Sequence, residues 1–367
     1  MVKLKDMAGN TPDTSRLHEA RYWHKEPDGR IVCTLCPRDC HIAEGQAGFC
    51  YIRQNLGGKL YNLGYGRPSG FAVDPVEKKP LNHFLPGTPI LSFGTVGCNL
   101  GCRFCQNWDI SKAREESERA YDVSPREVVD LAIREKCPSI AFTYNDPTTW
   151  LEYTTDIVKE AVPRGIRCVA VTAGFISPES RPEFYENISA ANVDLKGFTE
   201  EFYGKVTLSH LAPVLDTLKW LKHESKVWFE ITNLMIPTLN DSPGETKKMC
   251  EWILKELGPD VPIHFTAFHP DYKLVNIPGT PPATLKRARQ IAKDVGLHYV
   301  YTGNVRDLEG STTFCPGCGD ALVVRDYYRI TEMKIRNGAC PSCGKKIPGI
   351  WPDKPVEQTL VRPRAVG

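Results

Sequence analysis

This sequence lacks long apolar runs. No run reaches the roughly 18 residues that a membrane-spanning helix needs, and the first residues, Met1 to Asp6, contain no signal-peptide apolar core. A dominant charge of one sign is also missing, since 46 Lys and Arg residues against 44 Asp and Glu residues leave a net charge of +2. That balance gives no electrostatic support for binding nucleic acid or a membrane. We therefore expect a cytoplasmic protein with no membrane segment.

Disulfide bonds are also not expected. Of the 14 cysteines, 11 fall into three tight clusters, and the spacing within the clusters suits metal binding rather than bridges. The other three, Cys137, Cys168 and Cys250, stand alone in apolar or helical contexts, where cysteine usually behaves as a small buried hydrophobe. With 367 residues and 41% hydrophobic content, the chain can form one large domain with small appendages.

The central cluster consists of Cys98, Cys102 and Cys105, which follow an apolar stretch and are spaced by three and then two residues. Four-iron clusters are normally held by four cysteine thiolates, so three close thiolates without a fourth leave one iron open for chemistry. A zinc site of three cysteines and one histidine is the alternative, but no histidine lies in this run. The triplet therefore predicts an iron–sulfur cluster with an open iron.

Short β-branched runs alternate with longer amphipathic segments from about residue 88 to residue 302. This alternation predicts an α/β fold with six β/α units and a parallel sheet. The predicted strands are Ile90–Thr95, Ser139–Thr143, Arg167–Thr172, Val193–Lys196, Val227–Leu234 and Ile263–Phe268, and the predicted helices include Pro125–Lys136, Thr149–Val162, Leu211–His223 and Pro243–Leu257. Parallel sheets keep their functional groups in loops at the carboxyl ends of the strands. Five polar or flexible positions lie at such ends: Cys98, Asn145, Gly174, Lys196 and His269.

Two of these helices have a predicted capping box. Ser124 and Ser242 each precede a proline and are followed three residues later by Glu127 and Glu245. In such a box the serine side chain accepts a hydrogen bond from the glutamate backbone, and the glutamate side chain accepts one from the serine backbone.

The amino-terminal segment, residues 1–87, contains a second cluster of four cysteines within eighteen positions: Cys33, Cys36, Cys40 and Cys50. Four thiolates around zinc would form a closed knuckle that stabilises a segment too small for its own core, and zinc is the metal that we favour. A second iron–sulfur cluster with an electron-transfer role is the alternative. Sequence spacing alone does not separate the two.

The carboxyl-terminal segment, residues 303–367, carries two C-x2-C pairs separated by 21 residues: Cys315 with Cys318, and Cys340 with Cys343. Such pairs predict a zinc-ribbon or rubredoxin-like domain, and we favour zinc over a single iron, although tetrahedral sulfur sites accept either. The residues between the pairs mix basic, aromatic and acidic side chains. We therefore expect a solvated surface there rather than a nucleic-acid site.

The run from Cys98 to Trp108 resembles the signature of the radical S-adenosylmethionine (SAM) enzymes, with Phe104 at the aromatic position. The resemblance implies that the cysteine triplet holds a 4Fe-4S cluster whose fourth iron binds SAM. It also implies an electron donor such as ferredoxin or flavodoxin, and reductive cleavage of SAM to methionine and a 5'-deoxyadenosyl radical that takes a hydrogen atom from a substrate. The cofactors supply the reactive chemistry, and the protein orients them.

Polar residues after the second and third strands are predicted to contact SAM. Many radical SAM proteins carry a Gly-Gly-Glu stretch after the second strand, whereas this chain has Asn145 and Asp146. Asp146 would accept a hydrogen bond from the SAM ammonium with Asn145 as a helper, and an Asp-Pro turn that caps the next helix is the structural alternative. After the third strand we expect contacts from Thr172 and from Gly174, which allows close backbone approach; an ordinary turn is the alternative.

Two further strand ends resemble those of pyruvate formate-lyase activating enzymes. Asp194 and Lys196 match an Asp-x-Lys motif whose lysine contacts SAM, which implies this role for Lys196 and a supporting one for Asp194. A plain ion pair is the alternative. His269 follows a phenylalanine as in those enzymes, and its place at a strand end favours a catalytic role. His83 is predicted to lie in a loop that covers the mouth of the barrel, with or without a chemical role.

The runs Cys33 to Arg38 and Asp74 to Leu81, added to the motifs above, resemble the radical SAM protein of the AmmeMemoRadiSam system over nearly the whole chain. The resemblance implies a partial, TIM-like (β/α)6 barrel over residues 88–302, with a metal knuckle segment over residues 1–87 and a zinc ribbon over residues 303–367. It also implies functional association with Memo-like and Ammecr-like proteins, and it leaves the substrate open.

The sequence supports two functional hypotheses. The first is a radical SAM enzyme that takes hydrogen from a protein or a small molecule, with glycyl-radical activation as one version. The second is a zinc-ribbon scaffold or an electron-transfer iron–sulfur protein that binds a protein or RNA partner. The polar residues at the strand ends favour the first hypothesis.

Overall fold

The main sheet of the protein has nine strands, and seven adjacent strands run parallel to one another. It is seen in a computed structural model that describes residues 17–113, 122–352 and 361–366. In spatial order the strands are Val300–Gly303, Ile263–Ala267, Trp228–Met235, Ala190–Asp194, Arg167–Thr172, Ser139–Phe142, Pro89–Phe93, Phe71–Pro75 and Arg364–Val366. Phe71–Pro75 is antiparallel to both of its neighbours. The predicted α/β fold with a parallel sheet is confirmed.

The main sheet is wider than the sequence predicts. All six predicted strands are present, with ends shifted by a few residues. A seventh parallel strand, Val300–Gly303, is added, because a run of four residues is too short to show a periodic pattern. The two antiparallel strands, Phe71–Pro75 and Arg364–Val366, come from the segments that we predicted to lie outside the barrel. The chain therefore builds its main sheet from all three predicted segments.

Helices connect the parallel strands. The α-helices are Trp108–Ser111, Pro125–Arg134, Leu151–Ala161, Arg181–Tyr185, Glu200–Phe202, Leu211–His223, Pro243–Leu257, Pro282–Val295 and Leu308–Ser311; the 3-10 helices are Val76–Lys78, Pro147–Trp150 and Val162–Arg164, and Tyr203–Thr207 forms a π-helical turn. In the part of the chain that the structure describes, no helix is both long and apolar enough to cross a membrane.

The two predicted capping boxes differ in the structure. Ser124 and Glu127 form both reciprocal hydrogen bonds, from Glu127 N to Ser124 Oγ at 3.3 Å and from Ser124 N to Glu127 Oε2 at 2.8 Å. Ser242 caps its helix by accepting from Glu245 N at 3.2 Å. The predicted hydrogen bond from Ser242 N to the Glu245 side chain is wrong, because that side chain instead accepts a hydrogen bond from Phe198 N at 2.7 Å. A tertiary contact with the loop after Ala190–Asp194 replaces the local one.

Two regions that carry cysteines flank the main sheet. The amino-terminal region has two antiparallel sheets of three strands, in spatial order Trp23–Lys25, Ile31–Cys33 and Cys40–Ile42, and His18–Glu19, Lys59–Asn62 and Arg53–Leu56. Its apolar side chains belong to the same hydrophobic core as the main sheet. The carboxyl-terminal region has one antiparallel sheet, Thr313–Phe314, Ala321–Asp326 and Arg329–Met333, and its small core also includes Tyr299 and Tyr301 at the main-sheet strand Val300–Gly303.

Candidate functional site

A cavity of about 350 Å³ lies at the carboxyl ends of the parallel strands and extends along their side chains. This volume is typical of small-molecule sites, which span about 300–1,000 Å³. The cavity brings together nine of the residues predicted from the sequence: Cys98, Cys102, Phe104, Cys105, Asn145, Asp146, Thr172, Asp194 and Lys196. We call it the main cavity.

Asn145 holds the loop that leads into the triplet. Its side-chain amide donates hydrogen bonds to Gly97 O at 2.7 Å and to Thr95 Oγ1 at 3.0 Å. Its carbonyl oxygen accepts from Thr95 N at 3.2 Å and from Trp150 Nε1 at 3.3 Å. Because these bonds use both donors of the amide, Asn145 is better suited to positioning Cys98 than to binding a ligand.

The triplet thiols are held by local polar groups. Leu100 N lies 3.5 Å from Cys98 Sγ, and Cys105 Sγ lies 3.1 Å from Ser111 Oγ. Burial raises the pKa of the Cys102 thiol to about 12. A buried thiol of this kind keeps its proton unless a metal replaces it.

The spacing of the triplet is too wide for one metal ion. A tetrahedral zinc ion, with Zn–S bonds near 2.3 Å, brings its sulfurs to about 4 Å from one another. Among the residues that the structure describes, the three triplet sulfurs are not all within 4.8 Å of one another, and they do not form such a group with His, Asp or Glu. Three thiols with no fourth ligand and a wide spacing fit a 4Fe-4S cluster, in which the iron and sulfide core separates the thiolates.

Asp194 and Lys196 form an ion pair that lines the same cavity. Lys196 Nζ lies 2.8 Å from Asp194 Oδ2 and 5.7 Å from the ring centre of Phe104. Burial alone would lower the pKa of Lys196, but the negative charge of Asp194 outweighs burial and raises this pKa above its usual value. Lys196 is therefore a permanent cation beside the triplet.

Asp146 is anchored between two strand ends. Its carboxylate accepts hydrogen bonds from Thr148 N at 3.0 Å, Ala173 N at 2.8 Å and Thr172 Oγ1 at 3.1 Å. The bond to Thr148 N is the predicted Asp-Pro cap, here at the start of the 3-10 helix Pro147–Trp150. Burial raises the pKa of Asp146, although these donors oppose that effect. Asp146 thus combines the cap with a place in the wall of the main cavity.

Two predicted site residues do not line the main cavity. Gly174 has φ +65°, and a Cβ atom there would lie 3.1 Å from Val193 Cγ1, so the turn and its packing account for this glycine. The His269 side chain is 60% exposed, and its Nδ1 lies 3.9 Å from Asp271 Oδ2. The structure gives neither residue a contact with the triplet.

The loop before the first parallel strand contributes lysines rather than His83 to the main cavity. Lys79 is buried, and its Nζ lies 2.8 Å from Asp74 Oδ2 and 4.9 Å from the ring centre of Tyr144. Burial lowers the pKa of Lys79 to about 8. Lys78 binds the other oxygen of Asp74 at 2.8 Å, so two ammonium groups share one carboxylate.

Lys79 lines the main cavity from the amino ends of the parallel strands, whereas the triplet lies at their carboxyl ends. Phe71–Pro75 is antiparallel to Pro89–Phe93, and Pro75 pairs with the first residue of that strand. The two adjacent lysines can be seen in the sequence, but only the antiparallel direction of Phe71–Pro75 brings Lys79 to the main cavity. His83 is instead fully buried between Pro348 O and Tyr301 Oη, each at 2.6 Å from a ring nitrogen. The prediction that its loop covers the mouth is therefore wrong for His83.

The four carboxyl-terminal cysteines form a compact group. Cys315 Sγ lies 3.5 Å from Cys343 Sγ, and Cys318 Sγ lies 3.6 Å from Cys340 Sγ. All four sulfurs are within 4.8 Å of one another, which is the spacing that a single tetrahedral ion requires. A metal-binding site in this region is thus supported by geometry as well as by sequence. The four amino-terminal cysteines line a separate, smaller cavity.

Proteins of known sequence align with this chain, one of them over nearly its whole length. An uncharacterized protein of Methanocaldococcus jannaschii is 41% identical over 333 residues, which cover 90% of this chain and 99% of the relative. The pyruvate formate-lyase-activating enzyme of Listeria monocytogenes is 26% identical over 182 residues, which cover 46% of this chain and 70% of the enzyme. A solved radical SAM methyltransferase from Sphaerobacter thermophilus aligns with 80% coverage of both chains, 13% identity and a TM-score of 0.49.

The model of the radical SAM superfamily matches residues 93–253. This range begins at the end of Pro89–Phe93 and contains the triplet, Asp146 and the Asp194–Lys196 pair. The three triplet thiols within this range line the main cavity, and the relative from Methanocaldococcus jannaschii aligns with 90% of this chain at 41% identity. The protein therefore belongs to the radical SAM superfamily.

Proposed function

We propose that this protein is an enzyme that reductively cleaves SAM and uses the 5'-deoxyadenosyl radical to take a hydrogen atom from a substrate. The observation that carries the proposal is the shared cavity: the triplet, the Asp194–Lys196 pair and Asp146 all line it. A 4Fe-4S cluster held by Cys98, Cys102 and Cys105 would supply the electron for this cleavage. The substrate is not identified.

The charged residues of the main cavity complement the amino-acid end of SAM, which carries one carboxylate and one ammonium. Lys196 is cationic and would bind the carboxylate, while Asp146 and Asp194 would accept hydrogen bonds from the ammonium. Charge-assisted bonds of this kind fix orientation as well as affinity. Buried walls formed by Phe104, Thr172 and the strand side chains would keep water away from the radical.

Two finer assignments extend this proposal. The similarity to a pyruvate formate-lyase-activating enzyme supports hydrogen abstraction from a protein glycine as one version of the reaction, with ferredoxin or flavodoxin as the electron donor. Membership of the AmmeMemoRadiSam system, with Memo-like and Ammecr-like partners, remains a proposal from the sequence motifs. We also propose zinc for the carboxyl-terminal cysteines, whose spacing suits one tetrahedral ion, and a reducing, cytoplasmic setting.

The proposal is tested by anaerobic reconstitution with iron and sulfide, followed by dithionite and SAM, with 5'-deoxyadenosine measured by mass spectrometry. Cys102→Ala is expected to abolish its formation, and Cys250→Ala, a buried cysteine on Pro243–Leu257, serves as the matched control. Formation of 5'-deoxyadenosine by Cys102→Ala at the rate of the control would contradict the proposal. If the Cys250→Ala control forms no 5'-deoxyadenosine although its cluster is fully reduced, the result would favour the scaffold or electron-transfer hypothesis.

A further inference from the structure

We propose that the four amino-terminal cysteines bind a second four-iron cluster rather than a zinc ion. Cys33, Cys36, Cys40 and Cys50 line one small cavity, which Asn99 and Thr149 border from segments that follow main-sheet strands. Three of these cysteines are buried, and Cys40 is partly exposed. Binding of this cluster does not depend on the SAM reaction proposed above.

The distances between the sulfurs argue against a single ion. Four sulfurs around one zinc ion lie about 4 Å apart, and the carboxyl-terminal set of the same molecule has this spacing. Among the residues that the structure describes, no three of the amino-terminal sulfurs are all within 4.8 Å of one another. In this respect the amino-terminal set resembles the triplet at the main cavity, and a cluster of four irons and four sulfides is the larger group that such a spacing fits.

The space between the sulfurs supports the same conclusion. The cavity has a volume of about 20 Å³, whereas one water molecule needs roughly 10–15 Å³ on this measure. Sulfurs that surround one zinc ion at about 2.3 Å leave no such space. The space that the four cysteines share with Arg53 and the other lining residues is therefore larger than the centre of a closed zinc site.

Arg53 provides an independent indication of an anionic group in this cavity. Its side chain lines the cavity and is 1% exposed. Nη1 binds both carboxylate oxygens of Glu152 at 3.1 Å, but the buried Nε has no hydrogen-bond partner within residues 17–113, 122–352 and 361–366. An unpaired buried donor is costly, and hydrogen bonds to cluster sulfurs are a common feature of iron–sulfur sites.

The second site lies directly against the triplet loop. Gly97 has φ +81°, and a Cβ atom there would lie 2.1 Å from Cys50 O, so only glycine permits this approach beside Cys98. Arg38, which lines the smaller cavity, donates from Nε to Asn99 O at 2.5 Å. Because four thiolates complete the coordination of all four irons, a cluster here would carry electrons and would not bind a substrate.

The experiment separates the two sites by removing the triplet. A Cys98→Ala, Cys102→Ala, Cys105→Ala variant leaves every amino-terminal cysteine in place, and Cys250→Ala is the control. Both are reconstituted anaerobically with iron and sulfide, and iron, zinc and acid-labile sulfide are counted per chain. Sulfide is the decisive quantity, because a single zinc or iron ion at the carboxyl-terminal cysteines binds none. Electron paramagnetic resonance after dithionite reduction, with and without SAM, is the second readout.

The triplet variant is expected to keep about four irons and four sulfides per chain, against about eight of each in the control. Its reduced spectrum is expected to be unchanged by SAM, since no iron is open. Adding Cys33→Ala and Cys36→Ala to the triplet variant should remove the remaining sulfide. A folded triplet variant with no sulfide, with two sulfides, or with a second zinc ion would overturn the proposal.

Discussion

The amino-terminal and carboxyl-terminal regions each present four cysteines, and the structure uses them differently. The carboxyl-terminal sulfurs are within 4.8 Å of one another, two of these cysteines are exposed, and the region packs in a small cluster separate from the large core. The amino-terminal cysteines line a cavity beside loops that follow main-sheet strands, and most of them belong to the hydrophobic core of the main sheet. Four cysteines therefore predict a metal site in each region, but only their separation in space distinguishes one ion from a larger group.

This difference also predicts how the two regions respond to perturbation. The amino-terminal region is tied to the main sheet by buried polar contacts, so damage there should reach the main cavity. The metal-binding part of the carboxyl-terminal region contacts the loop that contains Asn82 and His83, where Pro348 O lies 2.6 Å from a ring nitrogen of His83 and Arg325 donates to Asn82 O at 2.7 Å. Damage beyond that junction should stay local.

The largest expected effect is on the buried ion pair of the amino-terminal region. Glu152 accepts hydrogen bonds from Arg53 Nη1 at 3.1 Å and from Asn62 Nδ2 at 2.6 Å. Glu152→Ala would leave a buried guanidinium unpaired, and we expect it to lower the free energy of unfolding by about 3–5 kcal/mol. The control is Glu201→Ala, which breaks a surface pair with Lys205 in which both side chains are 74% exposed and should cost less than about 1 kcal/mol. Chemical denaturation under anaerobic conditions measures both values, and equal costs would refute the contrast.

The second effect is a loss of stability in acid at the junction with the carboxyl-terminal region. Burial lowers the pKa of His83 to about 4, so the folded protein keeps this ring neutral while the unfolded chain takes up a proton below pH 6.5. The free energy of unfolding should therefore fall as the pH drops from 6.5 to 4, by about 3 kcal/mol from this residue. Above pH 6.5 the residue should add no pH dependence.

His83→Gln isolates this contribution. Glu230 accepts from His83 N at 2.7 Å and binds His264 at 2.7 Å, and it titrates in both proteins. The difference in unfolding free energy between wild type and His83→Gln should therefore vary with pH only between pH 4 and 6.5. Parallel pH curves for the two proteins would show that His83 is not the group responsible.

The third contrast is between a buried and an exposed lysine. Lys196→Met removes the cation beside the triplet and should weaken SAM binding by about 10- to 100-fold, the value of a charge-assisted hydrogen bond of about 1.5–3 kcal/mol. Lys334→Met in the carboxyl-terminal region, where Lys334 pairs with Glu332 at the surface, should leave the affinity unchanged. Equilibrium binding of SAM to the reconstituted proteins measures both, and an unchanged affinity in Lys196→Met would favour the plain ion pair.

The smallest effect is expected from removing the carboxyl-terminal metal. Cys318 and Cys343 are exposed, so a chelator should reach this ion first. Hydrogen exchange should then increase in Ala321–Asp326 and Arg329–Met333, with no change in iron or sulfide content. Loss of sulfide together with the carboxyl-terminal metal would show that the two regions are not independent.

Local patterns were sufficient for six of the nine main-sheet strands, for the long helices that we predicted and for the triplet. Arg167–Thr172 and Leu211–His223 have the predicted bounds, because apolar periodicity and end signals act over a few residues. The position of nine predicted residues around one cavity also follows from a local rule, since parallel strands bring their carboxyl ends to one edge.

Other features depend on residues that are far apart in the chain. The Glu245 side chain accepts a hydrogen bond from Phe198 N instead of completing its capping box. His269 does not line the main cavity although it follows a strand, and Lys79 lines that cavity because the strand before it, Phe71–Pro75, runs antiparallel. No pattern within one segment encodes these outcomes.

The sequence by itself determined the superfamily, the alternating fold and the residues able to bind metal. Only the tertiary structure decided how far apart those residues lie and which charges face them. The reason is physical: ligand type is a property of single side chains, whereas the separation of sulfurs and the pairing of buried charges arise when distant segments pack into one core.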